Sequence, residues 1–169
     1  MRTSSVSRKQ MGIGGCRFDA SFHMSDGIQA RRALSKLPYD KISIGQALLR
    51  SFYGGRDRRV YVTDPACGIP FLGGSTMLKA DLNGVKLISK KLTANLEEMI
   101  LKKDWILISR SGTIGKCVYS CNVHNGMAAS EDIIRLVPNH TILPDVLYAY
   151  LSSKYGYALL TQGEFGSVI

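Results

Sequence analysis

The sequence has few cysteines and no long apolar run, and these absences exclude two classes of protein. Four cysteines occur, too few and too scattered for the disulfide framework of a small secreted domain: Cys16, Cys67, Cys117 and Cys121. No stretch approaches the roughly 18 consecutive apolar residues that a membrane helix requires. The polar, basic residues 1–10 are not followed by the apolar segment of a secretory signal, so we expect a cytoplasmic protein with reduced thiols.

The motifs of common enzyme classes are absent as well. Asp64–Cys67 does not match the Asp-Pro-Pro-Tyr loop with which an amino-methyltransferase holds its target amine. The glycines at 12–15 follow no predicted strand, so they are not a dinucleotide-binding fingerprint. No nucleophile elbow or His-Glu-x-x-His helix occurs, and the three histidines have no carboxylate or nucleophile at a motif spacing. We therefore predict no catalytic residue and no cofactor.

One group of side chains has a spacing that could suit a metal ion, namely Cys117, Cys121 and His124. The segment from Lys116 to Ser120 is predicted to be a strand, however, and positions four apart in a strand are separated by roughly 13 Å. This spread does not suit the compact ligand set of a zinc site. We therefore expect the thiols to pack as small apolar side chains without a metal, and His124 to be exposed on a loop.

The charge is the first positive indication of function. The 169 residues carry a net charge of +9, and 45% of them are apolar, which suits one globular domain with its own core. Residues 1–60 hold 12 Lys and Arg against 4 Asp and Glu, whereas residues 61–169 hold 10 against 9. A basic region on a cytoplasmic protein attracts polyanions, so nucleic acid is a candidate ligand. Charge alone leaves nucleic-acid binding and a plain solvated basic face equally open.

Helical spacing of apolar residues predicts four helices. The longest covers residues 25–37, with Ser25 as its N-cap. A shorter helix follows Ser43 and is closed by Gly54-Gly55, and its inward residues are Ile44, Ala47 and Leu48. The remaining two cover residues 92–100 and 143–151, and Gly156 is expected to break or bend the chain after the last.

Short runs rich in β-branched and aromatic residues predict the strands. They are separated by Gly, Pro, Asn and Asp, and they cover residues 60–62, 69–72, 85–88, 105–109, 116–120 and 132–137. Helices and irregular strands do not alternate regularly, as they would in a doubly wound fold. The pattern therefore predicts an α+β domain.

Three loops carry donors suited to phosphate groups or base edges. Arg110–Lys116 follows an apolar strand and combines glycines, hydroxyls and two cations. It is not a Walker A loop, because Arg110 and Cys117 stand where that motif needs Gly and Ser or Thr. Arg56–Arg59 holds three guanidinium groups, and Gly73–Lys79 combines flexible backbone, hydroxyls and one cation. Each loop taken singly also fits an ordinary polar turn.

Six segments follow one another in an order typical of a known family. Arg17–His23 comes first, Gly68–Ser75 carries a "G-x-P-F-L" strand, and Leu101–Gly115 fits a "gDil-SRsG-iG" pattern in which Lys103 and Trp105 depart from the usual residues. A strand, a helix and a closing segment follow at Ala128–Leu136, Val146–Ser152 and Gly163–Ile169. Together they resemble a target-recognition domain of the specificity subunits of Type I restriction-modification systems.

The resemblance implies an irregular, strongly curved mixed or antiparallel sheet flanked by several helices. It also implies a basic leader over residues 1–16, poorly ordered, and a single recognition domain over 17–169 that ends before the family's spacer helix. Such a domain binds one half-site of a split sequence in double-stranded DNA, while methyltransferase subunits and motor-nuclease restriction subunits perform the chemistry. Combined with the loop chemistry, it predicts DNA contacts from Arg56, Arg58, Arg59, Ser75, Thr76, Lys79, Arg110, Ser111, Thr113 and Lys116.

Two alternative functions stay open at this point. The same domain could be the recognition module of a fused restriction-methyltransferase enzyme, which an Asp-Pro-Pro-Tyr-type motif elsewhere in the native protein would indicate. A nucleotide-binding hydrolase that uses residues 109–116 as a phosphate loop is less favoured, because the Walker pattern is absent.

Overall fold

The helices and strands of the chain follow one another in an irregular order. The computed structural model describes residues 5–13 and 20–162, and the helices in these ranges are α1 (Arg8–Ile13), α2 (Ala20–His23), α3 (Asp26–Ser35), α4 (Leu96–Met99), α5 (Pro144–Ser152) and α6 (Lys154–Thr161). The strands are β1 (Leu48–Phe52), β2 (Tyr61–Val62), β3 (Gly68–Leu72), β4 (Leu87–Ser89), β5 (Ile106–Ser109), β6 (Cys117–Tyr119), β7 (Ala128–Ala129) and β8 (Ile133–Pro138).

Several predictions fall on residues outside the described ranges. They concern the glycines at 14–15, Cys16, part of the leader over 1–16, the start of the family-like segment at Arg17–His23 and the closing segment Gly163–Ile169. In the described part of the chain, no helix combines the length and apolarity needed to cross a bilayer.

One unit of the chain, Met1–Asp40 with Ser153–Ile169, is helical in its described residues. Helix α3 packs against α6 at Gly27, where a Cβ atom would lie 2.7 Å from side-chain atoms of Gln162. The Gln162 side chain also accepts a hydrogen bond from Arg31 Nε at 3.0 Å. Only glycine at position 27 allows this close approach, because any Cβ there would displace the Gln162 side chain.

The predicted helix over 25–37 is confirmed, with differences at its ends. Ser25 occupies the N-cap position, but its hydroxyl donates to the carbonyl of Phe22 at 2.6 Å instead of capping α3. The predicted break at Gly156 is wrong, because Gly156 lies inside α6. The chain turns at Ser153 instead, where the hydroxyl accepts a hydrogen bond from the Gly156 backbone N–H at 3.2 Å and caps the new helix.

The other unit, Lys41–Ser152, contains both sheets. The first sheet has the strand order β1-β8-β5-β6, and all its neighbours are antiparallel. The second has the order β2-β4-β3-β7, in which β3 and β7 are parallel. The main buried cluster consists of Leu72, Met77, Leu101, Leu107, Ala129 and Ile133. A smaller one consists of Phe71, Ile88, Met99 and Ala128.

The helix predicted between Ser43 and Gly54 is wrong beyond its first turn. Residues 44–47 form one turn of 3-10 helix, which Ser43 and Gln46 close with a reciprocal capping box. From Leu48 the chain is the strand β1, which pairs with β8. The inward residues assigned to a helix therefore divide: Ala47 is buried, but Ile44 is exposed and Leu48 belongs to the sheet. Strand pairing overrides the local helical spacing here.

The helix predicted over 92–100 is shorter than expected. Asn95 has a left-handed backbone with φ of 49°, so helical geometry begins only at Leu96, and α4 ends at Met99. The helix predicted over 143–151 is confirmed as α5, with Leu147 and Leu151 buried. Its apolar stripe is only partly used, because Leu143 and Val146 are exposed.

The predicted α+β class is confirmed, and each of the six predicted strands has a counterpart. The single sheet expected from the resemblance is instead two four-stranded sheets. The division follows from strand pairing, because β2, β3 and β4 pair with one another and with β7 rather than with the β5-β8 pair. Strong curvature of a sheet stays a prediction.

Candidate nucleic-acid interface

The directions of the strands bring separate loops to one edge of the first sheet. Strands β1 and β5 both run antiparallel to β8, so Phe52 at the end of β1 pairs with Arg135 and Ser109 at the end of β5 pairs with Ile133. Strand β6 begins at the same edge, where Cys117 pairs with Ile108. Residues 53–59, 110–116 and 130–132 therefore leave the first sheet at a common edge.

The loop after β3 reaches the same place from the second sheet. Ser130 donates its backbone N–H to the carbonyl of Leu72 at 2.9 Å, directly before the loop begins. Within the loop, a Cβ atom on Gly74 would lie 3.5 Å from Ser109 Oγ and 3.6 Å from Asp132 Cβ. We call the combined surface of residues 53–59, 73–79, 110–116 and 130–132 the loop edge. All three loops predicted to contact DNA belong to it.

Hydrogen bonds fix the backbone of the turn after β5. Ser111 Oγ donates to Asp132 Oδ1 at 2.6 Å, and Thr113 Oγ1 donates to Ser109 Oγ at 3.3 Å. Gly112 and Gly115 have left-handed φ angles of 70° and 79°, which favour glycine at these two positions of the turn. The hydroxyl protons of Ser111 and Thr113 are thus engaged within the protein, and these two side chains shape the turn whether or not they also reach a ligand.

The three arginines of residues 56–59 have different surroundings. Arg59 donates from Nη2 to Glu131 Oε1 at 2.9 Å, lies 5.1 Å from the centre of the Phe71 ring and has a side chain only 20% exposed. Arg56 is 81% exposed, and its Nε is 3.5 Å from the same carboxylate oxygen. Arg58 is exposed and has no side-chain partner among the described residues. Arg59 is therefore anchored in the fold, whereas Arg56 and Arg58 are accessible to a ligand.

The acidic partner of these arginines is not their sequence neighbour. Asp57 lies between them, but its Oδ1 accepts a hydrogen bond from Asn95 Nδ2 at 3.1 Å. Glu131, which is 72 residues from Arg59 in sequence, takes the role instead. Sequence reasoning missed Glu131 because an ion pair over such a distance has no local pattern.

The remaining predicted side chains lie on the two other loops. Ser75, Lys79, Arg110 and Lys116 are exposed and Thr76 is half-buried. Among the described residues, none accepts a hydrogen bond from the Lys79 ammonium or the Arg110 guanidinium. Exposed cations on adjoining loops can bind several phosphates of one nucleic-acid backbone, and Lys79 and Arg110 have side-chain donors that no described residue accepts.

Tyr53 is a residue of the loop edge that sequence reasoning missed. The Cζ atom of Arg110 lies 4.2 Å from the centre of its ring, within the range of a cation–π contact, and Tyr53 is 57% exposed. The only local signal was an aromatic residue three positions before the Arg56–Arg59 run. The partner Arg110 lies far along the chain, so the contact could not be predicted from spacing.

Arg135 is a buried cation directly behind the loop edge. Its side chain is 0% exposed, Nη2 donates to the Ala129 carbonyl at 2.6 Å, and Nη1 donates to the Ile133 carbonyl at 3.1 Å. Burial, together with the charge of Arg50 and against the opposing charge of Glu131, lowers the pKa of Arg135 to about 10. The guanidinium remains protonated at neutral pH and joins the end of β7 to the start of β8.

Cys121 and His124 form a local hydrogen-bonded pair, and Cys117 has a different partner. Cys117 Sγ contacts the Gly115 carbonyl at 3.4 Å, and burial raises the pKa of its thiol to about 11, which disfavours the thiolate that a metal would need. Cys121 Sγ lies 3.4 Å from His124 Nδ1. In residues 5–13 and 20–162, no cluster of His, Cys, Asp or Glu has the arrangement of a metal site. The expectation that His124 is exposed is wrong, because its ring is buried.

Burial of His124 predicts a loss of stability in acid. Desolvation lowers the pKa of His124, and its Nδ1 accepts a hydrogen bond from the Cys121 backbone N–H at 3.3 Å, which protonation would break. The unfolded chain then binds more protons than the folded one as the pH falls below about 6.5, so the free energy of unfolding should decrease there. Urea denaturation at several pH values should show this decrease in the wild type and in exposed His140→Gln, but not in His124→Gln. An equal decrease in all three would contradict it.

Comparisons with known proteins bear on the family and the fold of this chain. A family model described as "Type I restriction modification DNA specificity domain" matches residues 60–168, well over half of the chain. The HsdS subunit from Thermoanaerobacter tengcongensis, known from a crystal structure, is similar in fold, with a TM-score of 0.51 and 13% sequence identity. The likeness covers 79% of this chain and 37% of that chain, so this chain spans well under half of that subunit's length. No curated protein matches the sequence.

Proposed function

Because the chain belongs to the family of Type I restriction modification DNA specificity domains, we propose that its loop edge reads one half-site of a split DNA sequence. Members of this family are DNA-recognition components without a catalytic centre. The predicted resemblance, and with it the non-catalytic DNA-recognition role, is therefore confirmed at the level of the family. We further propose that residues 17–169 act as one recognition domain in the cytoplasm, and that its sheets are strongly curved.

The single observation that carries the half-site proposal is the convergence of three donor-rich loops. Residues 53–59, 73–79 and 110–116 come from three strands in two sheets, yet they adjoin one another at the loop edge. Adjoining loops with exposed cations and hydroxyls can make several contacts along one DNA groove, whereas one isolated basic turn makes few. The loop edge thus supplies both hydrogen-bond donors for DNA phosphates and groups that can reach base edges.

The surroundings of each cation suggest its role on DNA. Arg58, Lys79 and Lys116 are exposed, and we assign them to phosphates, where position matters less than charge. Arg56 is also assigned to phosphates, because its ion pair with Glu131 is long and its side chain is exposed. Arg59 acts within the fold. Ser75, Thr76 and Arg110 are assigned to base edges, and Ser111 and Thr113 support the turn that presents Arg110.

The chemistry of the system is assigned to partner subunits. We propose that methyltransferase subunits methylate the DNA that this domain recognises and that motor-nuclease subunits cleave unmodified DNA. Because the chain spans 37% of the HsdS subunit it resembles, the assembly belongs to the full-length protein. Experiments on recognition should therefore use that protein with its methyltransferase partner.

Selection from random DNA duplexes tests the proposed function. The full-length protein with its methyltransferase partner would be mixed with a randomised duplex pool at two salt concentrations, and bound DNA would be sequenced. We expect one half-site to be enriched at both concentrations, because base contacts release few counterions whereas phosphate contacts release many. Binding that is blind to sequence and disappears at the higher salt concentration would overturn the proposal.

Arg58→Ala tests the assignment of a phosphate contact. The variant should bind selected and unrelated duplexes more weakly by a similar factor, and the slope of log affinity against log salt should fall by about 1. Lys102→Ala is the matched control, since Lys102 is exposed but lies before β5 begins, away from the loop edge. A loss confined to the selected sequence, or an equal loss in Lys102→Ala, would contradict the assignment.

A further inference from the structure

Tyr53 and Arg110 form a cation–π contact within the loop edge. Tyr53 is the first residue after β1, and Arg110 is the first residue after β5. These strands flank β8 on opposite sides, so the two residues leave the sheet at the same edge. The guanidinium carbon lies 4.2 Å from the ring centre, and both side chains are exposed.

The contact holds Arg110 without using its hydrogen-bond donors. The Arg110 backbone N–H donates to the Asp132 carbonyl at 2.8 Å, which fixes the base of the side chain. The guanidinium carbon lies over the ring, and a cation–π contact of this kind uses none of the five N–H donors. Within the described part of the chain, no oxygen accepts a hydrogen bond from these donors.

The other arginines of the loop edge are held differently. Arg59 Nη2 donates to Glu131 Oε1 at 2.9 Å, and Arg56 Nε lies 3.5 Å from the same oxygen. Arg58 is exposed without a side-chain partner among the residues described, so nothing there restricts its rotamers. Arg110 alone combines a fixed orientation with a full set of available donors. This combination suits bidentate recognition, which needs a planar fork at a set angle.

We propose that Tyr53 is a positioning residue that presents the guanidinium of Arg110 to a guanine in the major groove. The inference builds on the proposed function and names the base that one part of the loop edge reads. The O6 and N7 acceptors of guanine match the fork of an arginine, and a ring that restricts the side chain in advance reduces the ordering required on binding. Tyr53 itself need not contact DNA.

A double-mutant cycle tests this role. The full-length protein with its methyltransferase partner would be used as wild type, Tyr53→Ala, Arg110→Ala and the double variant. For each, affinities would be measured for the selected half-site and for copies with one base pair changed at a time. Arg110→Ala should abolish the preference for one G·C pair, a loss of about 5- to 150-fold. Tyr53→Ala should weaken the preference at that same pair by about two- to fivefold.

The coupling between the two changes separates positioning from a general structural effect. The double variant should be no less specific than Arg110→Ala, because Tyr53 acts through Arg110. Tyr53→Phe should retain the wild-type preference, since it keeps the ring. Tyr61→Ala is the matched control: Tyr61 is 53% exposed and has Lys86 Nζ 5.5 Å from its ring centre, but it lies on β2. It should leave the G·C preference unchanged.

Three results would overturn the inference. One is a Tyr53→Ala variant that keeps the full preference at the pair read by Arg110. Another is an Arg110→Ala variant that binds all sequences more weakly by the same factor with a lower salt slope, which would make Arg110 a phosphate contact. In either of these two cases, the proposed function would still hold if the wild type selects a half-site. If the wild type selects no sequence, both the proposed function and this inference fail.

Discussion

Arg135→Ala should lower the free energy of unfolding by about 2–5 kcal/mol, the largest effect that we expect from any single change in or directly behind the loop edge. The substitution leaves the carbonyls of Ala129 and Ile133 without their donors and opens a cavity at a fully buried position. Removing a buried charge recovers some solvation free energy, but two unpaired acceptors and lost packing outweigh it.

A neighbouring arginine provides the control for this prediction. Arg50 is exposed on β1, and its Cζ atom lies 3.6 Å from the centre of the Phe52 ring. The buried Arg135 contacts the same ring, with its Cζ atom 5.6 Å from the ring centre. Arg50→Ala should cost only about 0.5–1 kcal/mol, the value of an exposed cation–π contact. Urea denaturation with an unchanged m-value would measure both. A cost below about 1 kcal/mol for Arg135→Ala would contradict the structural role of its two hydrogen bonds.

Arg110→Lys should reduce discrimination at one base pair by about 1–3 kcal/mol, although it keeps the positive charge. Lysine has one ammonium instead of a planar fork, so it cannot bind O6 and N7 of guanine in the same bidentate geometry or lie flat on the Tyr53 ring. Affinity for unrelated DNA and its salt slope should stay near the wild-type values, because the charge is retained.

The matched variant is Arg56→Lys. Arg56 is a cation of the same loop edge, and no aromatic ring of the described residues lies beneath it. Since Arg56 is 81% exposed and is assigned to phosphate, its replacement by lysine should leave discrimination unchanged at every base pair. Discrimination by Arg110→Lys and by Arg56→Lys would be measured from their affinities for copies of the selected duplex with one base pair changed at a time. Equal discrimination in wild type and Arg110→Lys would show that Arg110 contributes charge and not base recognition.

Much of the fold could be predicted from local patterns. The helices α3 and α5 follow apolar spacing with identifiable ends, and six strands lie where β-rich runs predict them. The failure at β1 has a definite cause. Residues 48–52 have helical spacing of apolar residues, but pairing with β8 satisfies their backbone groups in the sheet and leaves Leu49 exposed. Only a partner strand more than 80 residues away makes this segment a strand.

The candidate site was predictable in its chemistry but not in its geometry. The arginine run, the glycine-rich loop and the turn after β5 each have a local signature, so the three loops could be named from the sequence. Their meeting depends on strand order, which local patterns do not specify. For the same reason, the contacts of Arg59 with Glu131 and the Phe71 ring could not be predicted, and on these contacts we propose that Arg59 acts within the fold.

Arg135 shows why buried functional groups are difficult to find from sequence. It lies in a β-rich run, where alternation would suggest either a solvent-facing residue or an error in the strand assignment. The structure explains it through two carbonyl acceptors and the adjacent Phe52 ring. Its role in joining β7 to β8 links the stability of the fold to the position of residues 130–132 in the loop edge.

The most direct test of the loop edge as the DNA-reading surface is the ratio of affinities for the selected half-site and a scrambled duplex. It should be measured at about 50 and about 200 mM salt, for the full-length protein with its methyltransferase partner and for its variant with Arg58, Lys79 and Arg110 changed to alanine. We predict a ratio of about 1000 or more for the wild type at both concentrations. In the variant, with its fold intact, the loss of Arg110 should reduce the ratio by about 5- to 150-fold, and the loss of Arg58 and Lys79 should weaken the binding of both duplexes. An unchanged ratio in the variant would contradict the assignment of DNA reading to the loop edge.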